Sequence, residues 1–450
     1  MSFNTALSGL RAANTDLAVT GNNIANASTT GFKSSRTEFG DVYAASLVNS
    51  ASVPGSGVLV TEVAQQFDQG NIAFTDNSLD LAINGQGFFV LSDAGATAYT
   101  RAGNFSLDNE GFIVSNGEAR LQGNPANAQG DITDGVQADL RVQTQDLAPS
   151  GTSELNMDFN VDSRELSPNT GVAPPGTGFP AFDPADPGTF NHSTSQTVYD
   201  SLGNPHVMTQ YFTKQLPDPT NADPLNAGVD NAWDMYVLID GEQVGDGVSS
   251  VSVSDPGPAG RDGFQIGFSS GGVLDAGFGG GGTYTISNWV PKDPVTGATN
   301  GAVASNIVLN FVDATQFGGE FSVAAVDQNG FAPGRLAGVQ VSDDGTLFAR
   351  YTNGEALTLG RVSLANFPNP QGLNPLGDTA WGESFESGQP VIGSPQSGSL
   401  GALQAGALEE SNVDLSEELV RLIIAQRNFQ ANSKTIETAN TITQTIINLR

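Results

Sequence analysis

The chain has no cysteine, so neither a disulfide nor a thiolate metal site can hold it together. It has only two histidines, His192 and His206, and their spacing of fourteen excludes the His-Glu-x-x-His arrangement of zinc hydrolases. Gly267-Phe268-Ser269-Ser270-Gly271 matches the nucleophile-elbow pattern, but such a hydrolase needs its histidine after the serine, and both histidines precede it. The glycine run at 277–282 lacks the Lys-Ser/Thr and the strand-to-helix setting of a phosphate loop, and reads as a turn. No apolar run approaches the roughly 18 residues a membrane span needs, so no membrane insertion is expected. The opening MSFNTALSGLRAAN has no basic region followed by a continuous apolar core, so no Sec signal is expected, and by the standard routes the chain would stay in the cytoplasm. Basic residues are scarce, 17 against 48 acidic, and the net charge of −31 argues against nucleic acid as a partner. No catalytic residue, metal site or cofactor is expected, and no enzyme.

What is plentiful is punctuation. There are 55 glycines and 23 prolines in 450 residues, which suits short strands joined by tight turns in about three domains. The exceptions are the two ends. Phe3, Leu7, Leu10, Asn14, Leu17, Gly21 and Ile24 step by four and three. So do Leu415, Leu419, Leu422, Gln426, Phe429, Ser433 and Ile436, with Ile423 beside them. That is the spacing of a coiled-coil seam. Past Ile436 the stripe drifts to Ala439, Ile442, Ile446 and Leu449, as a long helix of 3.6 period would. Asp414 or Ser416 can cap the C-terminal helix, and Glu417 and Glu418 suit its positive end. A helix of about 20–25 residues is marginal alone in water, so the two ends are expected to pair with each other and with the same ends of neighbouring copies. Their charges allow it: residues 1–36 carry a net of +2 and residues 409–450 a net of −2.

Between the ends the reading is β. Residues 28–78 are polar and aperiodic, an extended connector. Residues 79–146 contain strands, with a hairpin about Asp108-Asn109-Glu110-Gly111. Residues 333–405 form a β-meander with a turn at Asp343-Asp344-Gly345. Residues 147–332, with four basic against 21 acidic residues, are an acidic insert of short strands, a sandwich or barrel. The fold class expected is mainly β with helical ends, as a nested chain: 1–27 with 411–450, then 79–146 with 333–405, then the insert. Cation binding by the acidic loops is a sharper reading of the same charge, but no loop has the spacing of a calcium-binding EF-hand.

Three groups of residues carry a family resemblance. SGLRAANTDLAVTGNNIANASTTGFKSSR (Ser8–Arg36) includes Asn22, Asn23, Ile24, Ala25 and Asn26, and then Gly31, Phe32 and Lys33. AINGQGFFVL followed by YTRAGNF begins the first β segment. GSLGALQAGALEESNVDLSEELVRLIIAQRNFQANSKTI (Gly398–Ile436) closes the chain. All three resemble the bacterial flagellar rod and hook family, and TVYDSLGNPH (Thr197–His206) resembles a segment of hook outer domains. The resemblance implies a structural subunit of the flagellar hook that leaves by type III export and polymerises into a flexible curved tube, a universal joint between rod and filament. It further implies as partners many copies of the same chain, the hook cap, the distal rod, the hook–filament junction protein, the hook-length ruler and the export gate. The alternative within the family is a distal rod protein, which the large insert disfavours. The alternative outside it is a secreted acidic β-domain adhesin or cation-binding module, which does not explain the helices at both ends.

Overall fold

The computed structural model of the chain describes residues 2–42, 57–127, 130–143, 145–168, 182–214, 231–244, 264–275, 281–293 and 296–448. Helix α1 spans Ser2–Ala25 and helix α2 spans Leu415–Asn448, and the elements between them are strands apart from two short 3₁₀ turns among the described residues. The chain divides into two compact units. One comprises Met1–Thr144, Leu336–Arg350 and Ala356–Arg450, the other Gln145–Arg335 and Tyr351–Glu355.

In the first unit, strands from both sides of the insert pair with one another. Leu81–Asn84 runs antiparallel to Ala402–Ala405, Phe88–Asp93 to Leu364–Asn366, and Arg120–Pro125 to Ala356–Val362. Ile83, Phe89, Phe105, Leu121, Leu347 and Leu364 meet in one core. Neither segment can therefore bury its apolar face without the other. A second, aromatic cluster joins Phe88, Tyr99, Phe367, Trp381 and Phe67 through edge-to-face contacts. Such contacts are worth about 0.5–1.5 kcal/mol each beyond the area they bury.

Residues 28–78, expected as a connector, contain paired strands. Strands β1 (Ser35–Asp41) and β2 (Val58–Gln65) form an antiparallel ribbon with a register shift at Glu38 and Phe39. Strand β3 (Ile72–Phe74) pairs with Ala407–Glu409. The ribbon shows no clean alternation of burial, which is why its sequence reads as aperiodic. It is tied to the β-body where Gln65 accepts from the Trp381 indole N–H at 2.6 Å and from the Gln371 side chain at 2.7 Å.

The second unit is a sandwich of two five-stranded sheets. Glu154–Asp162 is central to one sheet, parallel to Ser305–Asn310 and Thr315–Phe317 and antiparallel to Ser322–Gln328. Leu155, Met157, Phe159 and Val161 alternate inward from it, against Met208, Phe212, Trp233, Met235 and Ile266 of the other sheet. That period of two is the signature of a half-buried strand.

The hairpin His192–Tyr199 with Pro205–Lys214 turns on Asp200, which is fully buried. Its carboxylate accepts from the backbone N–H groups of Leu202 and Asn204, and from the side chains of Asn204 and Asn300 at 2.9 and 2.6 Å. Gly203 supplies the left-handed residue of the turn, with φ +81°. His206 lies between two carboxylates, Nδ1 at 2.6 Å from Asp240 and Nε2 at 3.4 Å from Asp200. Burial pushes the Asp200 carboxyl upward, but the hydrogen bonds from Asn204, Asn300 and His206 outweigh it and hold the group below its ordinary value. An acid held low stabilises the fold above the ordinary aspartate range and loses that contribution as pH falls through the lowered value.

Asp200→Ala is expected to orphan several buried donors, each costing about 1–3 kcal/mol. Urea unfolding followed by Trp233 and Trp289 fluorescence should show a lower midpoint at neutral pH. The difference from the parent chain should shrink in acid, below about pH 4. An unchanged midpoint would contradict this account of the turn.

Candidate assembly interface

The two helices pack against each other antiparallel. Asn23 lies beside Glu418, Asp16 lies near Arg421, and the backbone at Gly9 comes so close that an added Cβ would sit 2.7 Å from the Asn432 side chain. At about 1.5 Å per residue, the 24 residues of α1 reach about 36 Å and the 34 of α2 about 51 Å. With Gly9 opposite Asn432, α2 runs on past the start of α1.

The seam within the chain is built of small residues. On α1 the buried positions are Ala6, Ala12, Ala13, Thr20 and Asn23. Ala6, Ala13 and Thr20 each precede by one the expected positions Leu7, Asn14 and Gly21. Leu7, Leu10, Leu17 and Ile24 are partly buried on the flanks, and Phe3 is exposed. On α2 the expected Leu422, Phe429 and Ile436 are partly covered, together with Glu418, Ala425, Asn432 and Ala439. Leu415, Leu419, Ile423 and Ile442 are about half exposed, at 48–55 %. Ile446 lies in α2, with its side chain outside the described residues. The shift by one residue has a steric cause. Ala6, Ala13 and Ala425 let the helix axes approach, whereas large side chains on the seam would hold them apart. The β1–β2 ribbon covers another part of α1, through the Asn23 side chain on both backbone groups of Ser35 at 2.8 and 2.9 Å.

Val420 and Ile424 join the uncovered residues of α2. At 100° per residue, Leu419, Val420, Ile423 and Ile424 lie on the side of the helix away from Glu418, Leu422 and Ala425. α2 is therefore apolar on two faces, and α1 covers one.

The residues after α1 fix where the helix pair begins. Asn26 donates to Asn22 and accepts from Thr29, closing the helix end, while Asn22 and Ala25 face solvent. Gly31 has φ +68°, and a Cβ there would lie 2.4 Å from the backbone nitrogen of Ala102, so a side chain is excluded. Its N–H donates to the carbonyl of Glu409. Phe32 is half-buried, and Lys33 is buried completely. Lys33 Nζ lies 2.5 Å from Glu409 Oε1 and 2.7 Å from the carbonyl of Asp68. Arg101 Nη1 lies 3.1 Å from Glu409 Oε2. Asn412 accepts from the N–H of Ser34 and donates to the carbonyls of Gln66 and Asp68. Sequence reading singled out Lys33 but not Arg101 or Glu409, since nothing in their spacing brings them together.

Four family models match the chain in order. They are the flagellar basal body rod protein at residues 3–33, the flagellar hook protein FlgE/F/G D1 domain at 82–152, the flagellar basal body protein FlaE D2 domain at 160–331, and the flagellar basal body rod FlgEFG protein C-terminal at 404–449. The flagellar hook protein FlgE of Salmonella typhimurium is 36 % identical over 454 residues, with all of both chains covered. The chain belongs to the flagellar hook protein family. FlgE of Escherichia coli K12 is 35 % identical over all of both chains, and FlgE of Borreliella burgdorferi is 31 % identical over all of this chain and 99 % of that one. The solved hook protein FlgE2 of Helicobacter pylori shares the fold, with a TM-score of 0.51 over 75 % of this chain and all of that one, at 13 % identity. As a hook-family member the chain is a structural subunit of the bacterial flagellum, and no described helix is long and apolar enough to cross a membrane.

Glu418 is an acid on the helix seam, 5 % exposed. Burial pushes its carboxyl above the ordinary value, opposed by the neighbouring Asn23 side chain and by Arg421. A raised acid costs stability while ionised, and the cost is relieved as pH falls through the raised value towards the ordinary glutamate range. Glu418→Gln is therefore expected to strengthen the helix pair at neutral pH, and to flatten the gain in helical stability that the parent chain shows on mild acidification. Thermal melts followed by helical circular dichroism at pH 7 and near pH 5 check both, and identical pH dependence in the two chains would contradict the assignment.

Proposed function

We propose that this hook-family chain builds the hook as a homo-polymer, and that the uncovered apolar face of α2 is what neighbouring copies pack against. The observation that carries the reading is the exposure of Leu415, Leu419, Val420, Ile423, Ile424 and Ile442 on a helix whose other face is already covered. Burying a large aliphatic side chain is worth about 1.5–3 kcal/mol, so half-covered ones still have roughly half of that to gain. A face of α2 on one copy meets a different face on the next. Repeated without closure, such a contact generates a helical tube rather than a ring.

On this reading residues 1–27 and 411–450 form the inner helical layer of the tube. Residues 28–78 connect it to a β domain of 79–146 and 333–405, and the insert 147–332 lies outermost. The seam residues Phe3, Leu7, Leu10, Leu17, Ile24, Leu415, Leu419, Leu422, Ile423, Phe429, Ile436, Ile442 and Ile446 belong to the inner layer. The tube bends as it turns, carrying torque from rod to filament, because polar outer surfaces slide more readily than an apolar helix core. The cap, the rod, the junction protein, the length ruler and the type III export gate are partners by family likeness. The role is structural, with no catalysis and no cofactor.

Replacing Leu419 and Ile423 together by Ala is expected to leave the melting temperature of the free subunit nearly unchanged. The concentration needed for polymerisation should rise at least about tenfold, the equivalent of about 1.4 kcal/mol of lost contact. Sedimentation of polymer against total concentration measures it. Unimpaired polymerisation would remove α2 from the interface.

A further inference from the structure

Asparagine followed by glycine occurs at 84–85, 116–117, 300–301, 329–330 and 353–354. Such a pair can react with itself, because the glycine nitrogen can reach the asparagine Cγ with no Cβ in the way. Both groups must be free to move, so the hydrogen bonds on each pair decide its fate. Four of the pairs are held. The Asn300 side chain donates to buried Asp200 at 2.6 Å and accepts from the Ala302 N–H at 2.9 Å. The Asn329 side chain accepts from the N–H groups of Ser153 and Glu154 and donates to the Ser153 hydroxyl, and the Gly330 N–H donates to Gln328 at 2.8 Å. The Asn353 side chain donates to the Ala332 carbonyl at 2.7 Å and accepts from the Glu355 N–H at 3.1 Å. Asn84 lies in the strand paired with Ala402–Ala405, and the Gly85 N–H donates to Gln69 at 3.1 Å.

Asn116-Gly117 differs. It is the exposed turn between the strands Ile113–Val114 and Arg120–Pro125. The Ser115 N–H donates to the Ala119 carbonyl, and the Glu118 N–H to the Ser115 carbonyl. Glu118 takes the left-handed position of the turn, with φ +63°. Neither the Asn116 side chain nor the Gly117 N–H makes a hydrogen bond among the described residues. A Cβ on Gly117 would meet nothing nearer than the Asp378 carboxylate, at 3.7 Å. We propose that Asn116 is a site of spontaneous covalent modification, converting after folding to a mixture of aspartate and isoaspartate while the fold protects the other four asparagines. The Gly117 nitrogen gives its proton to solvent base and bonds to Asn116 Cγ. The Cγ–Nδ2 bond breaks, and ammonia leaves with a proton returned from solvent. Water then opens the five-membered imide. Cleavage at Cγ gives aspartate. Cleavage at the backbone carbonyl gives isoaspartate, which routes the main chain through the side chain and lengthens the turn by one methylene. Nothing is oxidised or reduced. Either product sets a new carboxylate beside Glu118 and Asp378. The site belongs to the β-body and does not lean on the assembly reading.

The test is peptide mapping by mass spectrometry on the purified full-length subunit, incubated at mildly alkaline pH with and without urea. In the folded chain Asn116 should convert at least about tenfold faster than each of the other four. In urea the five should converge, with Asn116 changing least between the two conditions. The isoaspartate fraction is read by methyl transfer from a purified isoaspartyl methyltransferase. Gly117→Ala has room for its methyl and lies outside the left-handed region, so the chain should fold and Asn116 should stay intact over the same period. The proposal is overturned if Asn116 persists in the folded chain, if another of the five converts as fast, or if Gly117→Ala leaves the rate unchanged.

Discussion

Glu409 is where the chain closes on itself. A nested chain has to bring residues near its two termini to one place, and the requirement is met by a buried carboxylate held between Lys33 and Arg101. Around it the backbone is drawn in as well: Gly31 on the Glu409 carbonyl, Gly70 on its carboxylate, and Asn412 across Ser34, Gln66 and Asp68. Buried charge is a poor source of net stability, since desolvation consumes most of the attraction. Its value here is selectivity, because few other arrangements of these segments would satisfy all three groups.

With the ends fixed, the small-residue seam decides what the helices leave uncovered. Ala6, Ala13 and Ala425 spend little apolar surface on the contact within the chain. Larger side chains such as Leu419, Ile423 and Ile424 are left on the outer side of α2. Had the leucines formed the internal seam, the subunit would be better packed and would offer less to a neighbour. The two β units have cores of their own, one sandwiched between two five-stranded sheets and one shared between segments on either side of the insert. Each can stay folded while the helical ends loosen or tighten.

The sequence was legible wherever structure follows from local spacing. Both terminal helices, the mainly β body and the turns at Asp108–Gly111 and Asp343–Gly345 rest on periodicity and on residues that tolerate special backbone angles. The hook-family segments were legible as motifs. The register of the helix seam was harder, because a stripe of leucines marks apolar surface without saying which part the chain covers itself. Alanine at positions 6, 13 and 425 carries almost no pattern signal. The β1–β2 ribbon was hidden by its exposure, which removes the alternation that marks a strand. The alternation of Leu155, Met157, Phe159 and Val161 was present to be read, though its polar half is unusually acidic and rich in asparagine. The triad had no sequence signal at all, since residues 33, 101 and 409 meet only through the fold.

The central claim is that one face of α2 is covered by its own chain and the other is reserved for neighbouring copies. Carbene footprinting of Leu419, Ile423, Ile424 and Ile442, on the free subunit and on the assembled polymer, addresses it directly. The account requires labelling at all four positions in the free subunit and protection at them in the polymer, with Ala425 protected in both. Equal labelling of the four in subunit and polymer would mean that the apolar face stays in water after assembly, and that some other surface holds the copies together.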